Sequence, residues 1–210
     1  AESRAYCVSA SRFDPLRDGK STASQPRSFS RKGTPRNGPR GRPALFERPL
    51  DMIRADEPAE VGTALEAIDA AQAAGRWLAG YASYELGYAL EERLLPLLPA
   101  DRRMPLLEFG VFDRPVDADT LLSRAASEAA SARLGPARPG WSAALHGAAL
   151  ARILDYIAAG DIYQANLTMP MQATATGTAL GLYGALRARQ PVSHGAFVEF
   201  PGTPAILSRS

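Results

Sequence analysis

The strongest constraint on the fold lies between Leu150 and Met171, LARILDYIAAGDIYQANLTMPM, where the apolar period changes within one short run. Leu150, Ile153, Leu154 and Ile157 recur at three- and four-residue steps with Arg152 and Asp155 on the other side, which predicts an amphipathic helix. Gly160 follows the last periodic residue, where a helix end calls for positive φ. Asp161 can bond backbone groups in the turn. Beyond it the period becomes two. Tyr163, Ala165, Leu167, Met169 and Met171 alternate with Gln164, Asn166 and Thr168, which predicts a strand. Gln164 and Asn166 are poor strand formers, so two amides on one face need an explanation. A solvated face, or amides that satisfy neighbouring backbone, is the simplest one.

Around this element there is chain enough for one good-sized domain or two small ones, at 210 residues. A hydrophobic content of 46% with 22% charged residues is that of a soluble globular protein. No run approaches the ~18 apolar residues that a membrane-crossing helix needs. The opening AESRAYCVSA does not read as a signal peptide. The single cysteine, Cys7, rules out an internal disulfide and fits a reducing compartment, so a cytoplasmic location is expected. His146 and His194, far apart and with no cysteine nearby, give no zinc signature.

The net charge of +2 hides an asymmetry. Residues 1–43 carry ten basic and three acidic side chains, a net of +7, and the remainder a net of −5. Residues 12–43 are rich in Ser, Arg, Pro and Gly, and such a stretch buries too little apolar surface to offset its ordering entropy. Residues 1–43 are therefore expected to form a disordered basic tail. Its only aromatics after residue 10 are Phe13 and Phe29 and it has no repeat, which argues against a nucleic-acid arm.

From Leu45 the chain is legible as elements. Leu45-Phe46 predicts a short edge strand, followed by a loop through Pro49 and Ile53. Glu57-Pro58 opens a helix whose inner face is Val61, Ala64, Leu65 and Ile68, and Gly75 ends it. Trp77–Glu85 predicts a buried strand and Leu106–Phe112 a second one. Between them Leu86–Leu98 is apolar and interrupted by Pro96. Residues 117–140 predict a helix and then a linker, with a boundary near 138. Thr178–Arg189 predicts a helix with Ala179, Leu182, Tyr183 and Leu186 inward, and Gly195–Phe200 with Ala205–Ser208 a hairpin. Tyr84 and Glu85 could be taken for an acid–base pair, but adjacent strand residues point to opposite faces, so the pair is read as structural.

Several of these runs resemble a known family. GDIYQANL is similar to the entry segment of the chorismate-binding domain shared by anthranilate synthase component I, isochorismate synthases and aminodeoxychorismate synthase component I. Tyr163-Gln164-x-Asn166-Leu167 resembles the aminodeoxychorismate branch, as do GRWLAGYASYELGYAL and PLLEFGVFD. The resemblance spans roughly residues 45–210. It implies an α+β fold of two antiparallel sheets with flanking helices. Residues 44–138 would be the N-terminal part and residues 139–210 the start of the chorismate-binding domain.

The chemistry implied is replacement of the 4-hydroxyl of chorismate by an amino group, with ammonia from a glutamine amidotransferase partner. Mg²⁺ would bind carboxylate and polarise the ring substituent, a general acid would assist the leaving hydroxyl, and a lysine would attach covalently to the ring. Gln164 and Asn166 become candidates for the substrate face. Ser193, His194 and Gly195 stand where the family places a Pro-aromatic pair against bound tryptophan, and here a hydroxyl and an imidazole replace that pair. No lysine occurs after Lys32, and ILSRS at Ile206–Ser210 is similar to the start of the family's I-L-S-x-S-P-E motif. The catalytic lysine, the glutamate and the metal-binding carboxylates are thus expected beyond Ser210, which leaves the chain inactive alone and poorly soluble through exposed strand edges. Two alternatives stay open: anthranilate synthase component I, and a non-catalytic protein that docks an amidotransferase.

Overall fold

The computed structural model describes residues 6–9, 43–192 and 195–209. The architecture is α+β, with five α-helices and only antiparallel sheets among the described residues. Two sheets form the middle. The larger has the order β12-β11-β1-β2-β6, built from β1 (Tyr6–Ser9), β2 (Ala44–Phe46), β6 (Val116–Asp117), β11 (Gly195–Glu199) and β12 (Ile206–Arg209). The smaller, β3-β5-β4, comprises β3 (Asp51–Ala55), β4 (Trp77–Ala82) and β5 (Leu107–Phe112).

Period-two alternation assigns each face a partner. Leu45 and Phe197 point to one side of the large sheet and pack on α3 (Asp119–Glu128) and α5 (Ala179–Arg189) through Leu121, Leu122, Ala125, Leu180 and Tyr183. The neighbouring Ala44, Phe46 and Val198 point the other way and meet Ala79 and Phe112 of the small sheet. That sheet's far face, with Ile53, Ala55, Leu107 and Val111, packs on Val61 and Ala64 of α1 (Pro58–Ala73). The layers therefore run helix, sheet, sheet, helix, and burial of both faces of both sheets is the main stabilising term.

Helix signals hold well at the ends. Glu57 and Glu60 form a capping box at the start of α1, with Pro58 in its first turn, and Gly75 lies just beyond its end at φ 74. The phase of α5 differs from the expected one. Leu180, Gly181, Tyr183 and Gly184 face the core and Leu186 is exposed, because the two glycines let this side of α5 press against α3. A Cβ on Gly184 would sit 2.1 Å from the Ala125 carbonyl oxygen, so only glycine allows the approach.

Some expectations are corrected by the pairing. Leu45-Phe46 is an interior strand, flanked by β1 and β6, rather than an edge. Asp51–Ala55, read as loop, is a strand whose Ile53 and Ala55 alone are buried. Tyr6–Ser9 lies inside the stretch expected to be tail and is a strand, with β11 and β2 accepting its backbone pairing on both sides. The reading of residues 12–42 lies outside the described residues.

Between α3 and α5 an antiparallel ribbon leads out and back. β7 (Arg133–Leu134) pairs with β10 (Ala175–Thr176), and β8 (Arg138–Pro139) with β9 (Met171–Gln172). It carries α4 (Ala143–Ala159), which contains the predicted amphipathic helix. Ser142 caps its start by accepting from the Leu145 amide, and Gly160 ends it at φ 80, as the sequence requires. No residue of α4 is buried among the described residues.

Candidate functional site

Gln164 and Asn166 are set by the end of α4. The Gly160 turn, closed by the Asp161 amide donating to the Tyr156 carbonyl at 3.0 Å, throws the chain off the helix axis into residues 161–170. That segment is not the predicted strand. The ladder begins only at Met171, and no described strand pairs with residues 163–170, so the alternating pattern has no sheet to join. Tyr163, Gln164, Ala165 and Asn166 are all exposed, and only Ile162, Leu167 and Met169 are half-buried. The side chains of Gln164 and Asn166 hydrogen-bond no described residue, which leaves two amide NH₂ groups and two amide carbonyl oxygens uncommitted.

Of the three residues expected against tryptophan, Ser193 and His194 lie outside the described residues. Gly195 opens β11 opposite Arg209 of β12. The Arg209 side chain lies across Gly195 so closely that a Cβ there would come within 2.3 Å of Nη1. Nη2 of Arg209 donates to the Gln190 carbonyl at 2.6 Å, beyond the end of α5. Gly195 belongs to the layered core, whereas Gln164 and Asn166 sit on the segment carried by the ribbon, and no hydrogen bond among the described residues joins these places.

Tyr84 and Glu85 are not strand neighbours. β4 stops at Ala82, and they fall in the turn before the short helix α2 (Leu86–Leu90), with Tyr84 86% exposed. The alternation argument for reading the pair as structural therefore does not apply to it.

A polar group in the core escaped the sequence reading. Glu108 of β5 is 3% exposed, the only charged residue among the buried ones described. Its direct partners across the small sheet are Arg54 on β3 and Tyr81 on β4. Arg54 Nη1 donates to Oε1 at 3.2 Å and Tyr81 Oη to Oε2 at 2.9 Å. Thr203, in the β11–β12 turn, brings Oγ1 within 3.2 Å of the same Oε2. Burial, and then the bond to Glu108, push the Tyr81 phenol above its ordinary range. Arg54 also grips Asp56 with two bonds of 2.7 Å, which holds that carboxyl below its usual value. The alternation in LLEFGVF could have indicated Glu108, since Glu108 shares its face with Phe112 while Leu107 and Val111 share the other. This cluster ties the two sheets together. Only Glu108 is fully buried; Tyr81 and Thr203 are half-buried, and Arg54 reaches the surface, where it meets Asp56.

The described residues hold no group of three or more His, Cys, Asp or Glu side chains able to ligate a metal. No described helix is long and apolar enough to cross a membrane. A family model described as chorismate binding enzyme matches residues 35–210. No curated protein and no solved structure matches the chain.

Proposed function

The chain belongs to the chorismate-binding enzymes, a family of chorismate-utilising proteins, and on that premise we propose that it serves as an aminodeoxychorismate synthase component I. In this reading chorismate is aminated at C4 with ammonia from a glutamine amidotransferase partner, in the cytoplasm. The observation that carries the proposal is the pair Gln164 and Asn166, exposed beyond the Gly160 turn with uncommitted amides. Amide N–H groups suit a substrate bearing carboxylates, and hydroxyls suit their carbonyl oxygens. Asn166, together with the GYASYE run, supports the aminodeoxychorismate branch over the anthranilate branch. Mg²⁺ is implied by the resemblance, and no step is assigned to it on this chain.

Calorimetric titration of the chain with chorismate tests the reading. Saturable binding is expected, weakened about ten-fold by Gln164→Ala or Asn166→Ala, since each removes hydrogen bonds to a charged group. Binding unchanged in both variants would overturn the role of this pair. The branch is tested by product. Protein isolated from its source cells and supplied with chorismate and glutamine is expected to form 4-amino-4-deoxychorismate, and anthranilate as the product would refute the assignment. Tryptophan, the ligand expected beside Ser193, His194 and Gly195, can be titrated against the same sample.

A further inference from the structure

Between α3, α5 and the end of β12 lies a cavity of about 500 Å³. Its lining divides by chemistry. Leu122, Ala125, Gly184 and Val192 give an apolar wall, and Arg187 and Arg209 give two positive charges. No acidic side chain is among the described residues that line it. Arg209 is held in place: Gly195 leaves room for its guanidinium, and the Gln190 carbonyl takes Nη2. Its Nε is buried and has no hydrogen-bond partner, a donor without an acceptor. The volume falls near the lower end for small-molecule sites, enough for one ring and its substituents.

We infer that this cavity binds a small cyclic carboxylate, with the ring on the apolar wall and the carboxylate between Arg187 and Arg209. The missing acidic side chain sets the selectivity. A zwitterionic amino acid would bring an ammonium group beside two arginines, with no carboxylate among the described lining residues to offset the like-charge repulsion. The site therefore prefers a simple carboxylate to an aromatic amino acid of similar size. It uses neither Gln164 nor Asn166, so the Gln164→Ala and Arg187→Gln variants separate it from the chorismate reading.

The test is an amide NMR titration of the whole chain with benzoate as probe, and with benzamide and L-phenylalanine as controls. Benzoate is expected to bind one-to-one with a Kd on the order of 0.1–1 mM, shifting amides of α3 and α5. Benzamide, which lacks the charge, and phenylalanine, which adds an ammonium, should each bind about ten-fold more weakly. Arg187→Gln, at an exposed position, is expected to weaken benzoate about ten-fold and to leave the amide spectrum of the free protein otherwise intact. Ala188→Leu keeps both arginines and narrows the cavity, and it should also weaken binding. The proposal is overturned if benzoate shifts no α3 or α5 amide up to about 10 mM. It is equally overturned if phenylalanine binds as tightly as benzoate, or if both variants keep the original affinity.

Discussion

Tyr81 and Glu108 face each other across β4 and β5, and the phenol donates to the buried carboxylate at 2.9 Å. Arg54, the cross-strand partner on the other side, donates to the second oxygen, so three neighbouring strands each contribute one member of a single row. Thr203 reaches the same carboxylate from the turn of the large sheet. A carboxylate in a core is tolerated only when its lone pairs are met, and here they are. Glu108→Ala is expected to cost about 3 kcal/mol in urea unfolding, because it leaves Tyr81 Oη without its acceptor and opens a cavity.

The Tyr81 bond gives the chain an alkaline limit. Its folded phenol is raised above its ordinary value, first by burial and then by Glu108. In the unfolded chain the phenol releases its proton near pH 10, so above that pH the unfolded state binds fewer protons than the folded one. Stability from this group is complete below about pH 10 and is lost as pH rises beyond it. Tyr81→Phe should cost about 1–2 kcal/mol at neutral pH and make the alkaline loss shallower, as urea midpoints at several pH values would show. An unchanged alkaline slope would count against this account.

Thr178 caps α5, accepting from the Gly181 amide at 3.0 Å, and its hydroxyl also bonds Glu128 at the end of α3. Thr178→Ala is expected to lower stability by about 1 kcal/mol. The Glu128 carboxyl is held below its ordinary range, first by Thr178 and then by Arg124. A depressed carboxyl supports the fold above its unfolded value and loses that support as pH falls. In the variant its NMR titration should therefore move up.

Gly184→Ala sets two effects against each other. Alanine gains about 1 kcal/mol of helix propensity over glycine, but its Cβ would stand 2.1 Å from the Ala125 carbonyl, and the backbone must shift. Overpacking of this kind costs about 1–3 kcal/mol, so a net fall in Tm is expected. Gly147 in α4 has nothing within 4 Å of the corresponding position, and Gly147→Ala should raise helicity instead.

Gln164→Ala and Asn166→Ala touch no described partner, so each should leave the Tm within about 1–2 °C of the parent. A larger drop would mean that the amides hold the fold together instead of facing a ligand.

Local signals determined much of this protein. The change of period at Gly160, the Pro58 start of α1, the presence of strands β4 and β5 and the β11–β12 hairpin were all legible, because each depends on residues within one turn or one strand of each other. The motifs around Gln164 and Asn166 likewise pointed to the chorismate-binding family, to which residues 35–210 belong. What escaped was decided between distant segments. Leu45-Phe46 became interior because Tyr6–Ser9 pairs with it, and residues 163–170 stayed out of a sheet because no described strand lies beside them. Glu108 acquired its partners only when β3, β4 and the Thr203 turn converged on it, at separations of 54, 27 and 95 residues. Period and propensity are short-range properties of the chain, whereas strand neighbours and buried polar contacts depend on which faces meet, and only the folded arrangement selects those.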